Sequence, residues 1–250
     1  MEDAKQKMEG IKQKIILLPI ITGVCLIISA TIGAWAYYNK DSSNSLSVTG
    51  SASEEVISDS AKFSGNFSRI VKVSNLKSGY AEIAQDLITV KQFLKDQGID
   101  DKNVTISTVS MFENYSYNNN NTQTEKEYTI SQTVEVSSSD INQITSLAQK
   151  TQDLINKGVI FSTNAVEYYY TKLPELRVSL LSDAIKDAKA RAQKMAEATG
   201  QSVGSLKSAA SGVVQVLPSN SLEVSDYGTY DTSKVNKNVM VTVKASFNLK

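Results

Sequence analysis

Near the C-terminus Val239, Val241, Val243, Ala245, Phe247 and Leu249 alternate with Thr242, Lys244, Ser246 and Asn248. A period of two predicts a strand with one buried and one wetter face. The same alternation recurs upstream. Ala61, Phe63, Gly65, Phe67, Val71 and Val73 share one face of a strand. Val104 and Ile106 open another that reaches about Tyr117, and Tyr128, Ile130, Val134 and Val136 alternate through the next. Further strands are expected near Ser47–Glu55, Ile160–Thr171 and Leu206–Leu217.

Three segments switch to helical spacing. Leu76, Tyr80, Ile83, Leu87, Val90 and Leu94 form one stripe over Leu76–Gln97, and Gly98 stops it. A second helix is predicted over Ile141–Asn156, with Asp140 and Gln143 as an acidic variant of the capping box and Gly158 as the stop. A third runs from Pro174 to Thr199, with proline suited to a first helical position and Gly200 to the C′ position. The resulting order, β-β-α-β-β-α-β-α-β-β, predicts an α+β fold of largely antiparallel sheets with three packed helices.

One segment breaks both periods. Ile15–Tyr38 is a run of 24 residues without a charge. As a helix it would be about 36 Å long, enough to cross a hydrocarbon core of ~30 Å. Lys5, Lys7, Lys12 and Lys14 precede it, only Lys40 follows closely, and Trp35, Tyr37 and Tyr38 gather at its far end. Lys bias and an aromatic belt predict a transmembrane anchor preceded by a cytoplasmic stub, with the C-terminal bulk on the other side. Ala34-Trp35-Ala36 leaves open a cleaved signal peptide. Either way the division is a stub at 1–14, the apolar segment at 15–38, a polar linker at 39–45 and an exported domain at 46–250. The expected location is the inner membrane, single-pass, with that domain periplasmic or extracellular.

Composition removes most chemistry. The chain has no histidine, so imidazole bases, Ser-His-Asp and Cys-His pairs and His-ligated metals are excluded. Its one cysteine, Cys25, lies in the apolar run, leaving the exported domain without thiol or disulfide. Beyond residue 40 there are 21 basic and 23 acidic side chains, which gives no electrostatic case for nucleic acid. Neither a phosphate-cradling glycine loop nor a nucleotide fingerprint is present. The paired acids Glu54-Glu55, Asp100-Asp101 and Glu125/Glu127 are all that remains for acid–base work, and Asp100-Asp101 suit a turn after a helix stop. No cofactor or metal site is expected.

The third helix is the densest pattern. Ala184, Ala188, Ala192 and Ala196 lie four apart, making a small-residue ridge extended by Leu176 and Leu180. Charged residues cover the other faces, with Asp187 and Arg191 at i,i+4 spacing. A core helix with a solvated face is the plain interpretation, and an oligomer interface through Asp187 and Arg191 is the functional one. Tyr168-Tyr169-Tyr170 on a predicted strand sends Tyr169 to the face opposite its neighbours. Tyr115 and Tyr117, beside the polar hairpin tip Asn118–Thr124, and Tyr227 and Tyr230, in the long loop Pro218–Lys234, complete the candidate interface residues. That loop is the candidate for mobility or partner contact.

The run Ala184-Ile185-Lys186-Asp187-Ala188-Lys189-Ala190-Arg191-Ala192-Gln193-Lys194-Met195-Ala196, followed by Gly200 and Gly204, resembles the signature helix of the SIMPL-domain family of bacterial envelope proteins. Val48-Thr49-Gly50-Ser51-Ala52 is similar to the family's opening strand. Gln97-Gly98-Ile99 with Asn103–Thr108 is similar to its helix-to-strand link, and Tyr128 and Gly158 fall in family order. The chain departs in lacking a proline near Met111–Tyr115, in having Glu127 where glycine is usual, and in Leu180-Leu181 where an Ala-Arg pair is usual. The resemblance implies an exported α+β domain with no established catalytic residues. It also implies a tendency to ring-like or channel-like homo-oligomers and a link to envelope stress. Self-association or binding of an unidentified envelope protein is therefore the expected function. A small-ligand-binding module and a carboxylate-based envelope hydrolase stand as alternatives.

Overall fold

The computed structural model describes residues 22–37, 44–114, 126–221 and 225–250. Its elements run β1 (Ser45–Ile57), β2 (Ser60–Lys72), α1 (Leu76–Asp96), β3 (Val104–Ile106), β4 (Ser110–Asn114), β5 (Glu127–Ser138), α2 (Ile141–Gln149) and α3 (Gln152–Asn156). They continue through β6 (Phe161–Thr163), β7 (Glu167–Tyr169), α4 (Leu173–Glu197), β8 (Val203–Pro218), β9 (Thr229–Tyr230) and β10 (Asn236–Leu249). One sheet has the order β1-β10-β8-β9; the other has β3-β5-β2-β6, with β4 also on β5 and β7 on β2. Pairing in the second sheet is antiparallel, while β9 joins β8 in parallel. The fold is thus α+β and rich in antiparallel pairing.

By its contacts the chain divides into two compact units. The larger comprises Thr49–Ala188 and Ala210–Lys244. Its main core lies where α1 and α2 cover the β2–β5 pair: Phe63, Phe67, Ile83, Val90, Phe93, Ile130, Val134, Ile144 and Leu147 are all buried there. Phe161 stacks near Phe63 and Phe67, at centroid distances of 6.3 and 6.5 Å. It can do so because a Cβ on Gly65 would lie 2.3 Å from its ring. A second cluster joins Leu176 and Leu180 of α4 to Val56, Val216, Val239 and Val241 of the four-stranded sheet. Here Gly50 lets helix and strand touch: a Cβ at Gly50 would sit 2.2 Å from the Ala184 carbonyl oxygen. Ser51 N–H next to it donates to Asp187 Oδ2 at 2.8 Å.

The smaller unit comprises Met1–Val48, Lys189–Ala209 and Ala245–Lys250. In it Ser202 and Lys250 exchange both main-chain hydrogen bonds, and Leu249 N–H donates to the Asn44 carbonyl. Ala192, Ala196, Ala245 and Phe247 are buried. All four ridge alanines of α4 are therefore inside.

Both helix-stop glycines in the larger unit take positive φ, +76° at Gly98 and +83° at Gly158. In each, the next residue's N–H reaches back to the helix, Ile99 to Leu94 and Val159 to Leu154, which satisfies carbonyls the helix end leaves open. Asp140 caps α2 by accepting from Gln143 N–H at 2.9 Å, but the reciprocal half of the box is absent. Gln143 instead donates its amide to the Gly98 carbonyl.

Several expectations need correction. The helix predicted over Ile141–Asn156 breaks at Lys150–Thr151 into α2 and α3. Thr151 Oγ1 donates to the Ala148 carbonyl and pairs with Thr163 Oγ1, and such a side-chain bond competes with the helical ladder. The strand opening at Val104 splits into β3 and β4 because Ser107 takes its own bonds to Thr133. The strand expected over Ile160–Thr171 is likewise two short strands, β6 and β7. Tyr80 is exposed rather than part of the inner stripe. Gly79 takes the inner position, where a Cβ would meet Val71 at 2.8 Å and Ile130 at 2.9 Å. Residues 22–37 are helical with exposed side chains, while residues 15–21 and Tyr38 of the apolar run lie outside the described residues. Among the described residues no helix is long and apolar enough to cross a membrane.

Candidate functional site

Past β8 the chain folds into a turn built around one buried cation. Gln215 is buried on β8 and grips Ser225 from both ends of its amide: Nε2 donates to the Ser225 carbonyl and Oε1 accepts from Ser225 N–H. Thr229–Tyr230 then run beside Gln215–Val216, and Asp231 N–H donates to the Val216 carbonyl. The Asp231 carboxylate accepts from Ser233 N–H at 3.2 Å, Ser233 Oγ at 2.7 Å and Lys234 N–H at 3.1 Å. Lys237 Nζ enters this turn, donating to the Asp231 and Lys234 carbonyls, 3.6 Å from Asp231 Oδ2. It also lies 5.7 Å from the centre of the Tyr230 ring.

Lys237 is 0% exposed. Burial lowers its pKa, and the charge and hydrogen bonding of Asp231 oppose that shift. For Asp231, burial pushes upward, but the hydrogen bonds from Ser233 and Lys234 and the Lys237 charge outweigh it, so its pKa is lowered. Two main-chain carbonyls and one carboxylate occupy the ammonium's donor directions. This geometry makes Lys237 a fastener for the turn, with no solvent path to a nucleophilic amine.

Outside the turn, Tyr230 meets Tyr169 at 6.0 Å between ring centres, and Tyr230 Oη accepts from Tyr170 N–H at 2.9 Å. Tyr169 Oη donates to Glu167 Oε2 at 2.8 Å. That bond to a carboxylate is the main reason its pKa is pushed up to about 12. Lys62 lies 3.8 Å from Glu167 and 3.6 Å from Glu135, which extends the polar network across the face of β2, β5 and β7 opposite the main core. Asp59 holds the start of α4, accepting from Thr171 N–H and Thr171 Oγ1 at 2.7 and 2.8 Å.

Of the predicted interface residues, the structure brings Tyr169 and Tyr230 together. Tyr168 packs against the main core, while Tyr170, just past the end of β7, packs against the second cluster. Tyr227 stands 96% exposed near the loop tip. The Asp187 carboxylate accepts a bond from β1, and Arg191 is exposed on α4. Tyr115 and Tyr117, with the hairpin tip, lie outside the described residues, as do residues 222–224 of the long loop. Asp100 and Asp101 pair with Lys102 and Lys95 and do not face one another across a cleft. Among the described residues no group of three or more acidic, cysteine or histidine side chains converges on a point that could hold a metal.

Two further features were missed by sequence reasoning. Lys237 is in phase with Val239 and Val241, so the alternation alone directs it inward. The bidentate pair of Arg69 with Asp86, both contacts 2.7 Å, likewise falls on the inner phases of β2 and α1. The signal in each case is a charge at a core-phase position.

One strand is unusually bare. Ser205 to Ser211 of β8 are all exposed, and β9 reaches only Gln215 and Val216 on the strand's outer side. Because Ser202 and Lys250 form a hydrogen-bonded pair, the antiparallel alternation turns the main-chain groups of Val203 and Ser205 away from β10.

No curated protein matches the chain. The profile of the SIMPL family, described as a protein of unknown function (DUF541), matches residues 46–247. With that match spanning the strands, helices and buried-lysine turn described above, the chain belongs to the SIMPL family.

Proposed function

We propose that the chain is a non-catalytic domain of the cell envelope that works by self-association or by binding an envelope protein. An anchor at Ile15–Tyr38 would leave the N-terminus in the cytoplasm and carry the domain to the far side of the inner membrane. The observation that supports the binding role is the bare outer edge of β8. An exposed edge strand offers a row of main-chain donors and acceptors to another strand, and native proteins usually blunt such edges with charge or proline. Ser205 to Ser211 contain one charge, Lys207, and no proline. The exposed Leu26, Ile27, Ile28, Ile32 and Trp35 of residues 22–37 support the anchor.

The test is light scattering and native mass spectrometry on the full-length protein in detergent, compared with Ser205→Pro. Proline at a position whose N–H points away from β10 blocks strand addition without removing a ladder bond. Assembly in the parent at ~20 µM, equivalent to about −6.4 kcal/mol, and dissociation in the variant are the expected results. A parent that stays strictly monomeric at that concentration defeats the self-association arm. Pull-down of an envelope protein that Ser205→Pro fails to retain would then decide the partner arm.

A second reading has its own observation. A cavity of about 510 Å³ is bordered by Arg177, Gln215, Ser225, Asp226, Met240 and Thr242. It lies beside the long loop and suits a small ligand bearing both charges. Ligand-induced hydrogen-exchange protection of residues 225–235 is the corresponding test.

A further inference from the structure

The six-stranded sheet ends in a second open edge, and this one borders a groove. β3 is terminal in the order β3-β5-β2-β6. Ser107 N–H donates to the Thr133 carbonyl at 2.9 Å. In the β3–β5 register Val104 faces Val136, Thr105 faces Glu135 and Ile106 faces Val134. Hydrogen-bonded and non-bonded positions alternate in an antiparallel pair. Thr105 therefore shares the bonded phase of Ser107, and Val104 and Ile106 lie in the outward phase: the Val104 N–H donates to the Asp101 carbonyl, while the Val104 carbonyl and both main-chain groups of Ile106 face the open side.

Beside this edge lies a cavity of about 270 Å³ lined by Lys91, Leu94, Lys95, Asp101, Val104 and Ile106. Leu94 forms its apolar floor and is 2% exposed. Val104 and Ile106 are half-buried against the main core. Lys91 and Lys95 lie one helical turn apart on α1, so their stems wall the same side of the groove. Lys95 Nζ is 3.4 Å from Asp101 Oδ2. Lys91 is exposed and has no ion pair among the described residues.

We propose that this groove between α1 and the β3 edge binds an extended peptide segment of a partner protein. The segment adds as a strand to Val104–Ile106, places one apolar side chain over Leu94, and sets an Asp or Glu two residues away against Lys91. The Ile106 N–H, with the Val104 and Ile106 carbonyls on either side, is complementary to the main chain of an extended peptide. Strand period two puts residues i and i+2 on the same side, which fixes the apolar–acidic spacing. Two lysines against one aspartate select an acidic partner. Pairing of β3 with β3 of a second copy would oppose Lys91 and Lys95 to the same lysines of that copy, and like charges across such a contact are disfavoured. This site is separate from the β8 edge and does not depend on self-association there.

The test uses full-length protein labelled with 15N at valine, isoleucine and threonine. The probe is a heptapeptide blocked at both ends, Ser-Glu-Ser-Val-Ser-Glu-Ser, with a control in which both glutamates are lysine. The amide of Ile106 is expected to shift with a Kd of about 0.1–1 mM, while Val104, bonded to Asp101, and Thr105, bonded to Glu135, stay in place. The lysine control should bind at least about fivefold more weakly, a preference that Lys91→Glu reverses. Lys91 is exposed, so that variant leaves the core intact. No shift at Ile106 with several millimolar peptide overturns the proposal, and so does equal binding of the two peptides. Shifts that follow protein concentration instead of peptide identify a second copy as the occupant and also overturn it.

Discussion

Gly50→Ala is the sharpest test of how α4 is seated on β1. The added Cβ would fall 2.2 Å from the Ala184 carbonyl oxygen, 2.4 Å from Ala188 N and 2.7 Å from Ala188 Cβ. Non-bonded heavy atoms need about 3.5 Å, so helix and strand must part by roughly 1 Å. Overpacking of this kind costs about 1–3 kcal/mol. The parting also stretches the Ser51 N–H bond to Asp187, now 2.8 Å, and a hydrogen bond to a charged group contributes about 1.5–3 kcal/mol. Together the substitution should destabilise by about 4 kcal/mol. With a urea m-value of ~2 kcal/mol/M, the unfolding midpoint should drop by about 2 M. Because the two nearest atoms belong to the helix backbone, adding Ala188→Gly should recover less than half of the loss. A midpoint within ~0.3 M of the parent would refute the close contact. Full recovery by Ala188→Gly would show instead that the side chain, not the backbone, sets the spacing.

Three other perturbations probe the charged groups in the interior. Asp86→Asn leaves Arg69 without its bidentate partner and should cost about 3 kcal/mol, read as a lower thermal or urea midpoint. Lys237→Met removes the donor to the Asp231 and Lys234 carbonyls. It should cost about 2–3 kcal/mol and speed hydrogen exchange across residues 229–236, with exchange in α1 unchanged. Tyr169 titrates near 12 in the folded chain against 10.0 ordinarily. The folded state thus holds a proton that the unfolded chain has lost, and stability falls as pH rises from 10 to 12. Urea midpoints measured against pH should show this slope flattened in Tyr169→Phe. Lys237 acts with the opposite sign. Its pKa is lowered in the fold, so between that value and 10.5 the unfolded chain binds more protons and stability rises with pH.

What the sequence revealed, and what it hid, follows from the range of each interaction. Phe63, Phe67, Val134, Val239 and Val241 declare themselves through period two, because burial of one sheet face is imposed on every second residue. Helix ends at Gly98 and Gly158 are equally local: a residue at positive φ closes the helix, and glycine adopts that conformation at little cost. The four-residue spacing of Ala184 to Ala196 announces a close approach but not what approaches. Gly50 supplies that surface from 134 residues upstream. The division of β3 from β4 has no local signal, since it depends on Ser107 meeting Thr133 across the sheet.

The buried charges fall between these cases. Arg69 follows Phe67 in phase and precedes Val71; Asp86 sits among Ile83, Val90 and Leu94 on the inner side of α1; Lys237 precedes Val239. Each is a charge at a position whose neighbours in phase are apolar, and burying an isolated charge is prohibitively costly unless a partner is supplied. Such a position therefore forecasts a partner, although only the fold says which one. For Arg69 the partner is Asp86 and the Gly158 carbonyl, which ties β2 to α1 and to the turn after α3. For Lys237 it is the turn at Asp231–Lys234. That turn occupies the last part of the loop where composition alone suggests mobility, and there Asp231 and Lys234 wrap an ammonium ion. A turn held in this way also fixes Tyr230, whose ring meets Tyr169 and whose hydroxyl accepts from Tyr170 N–H.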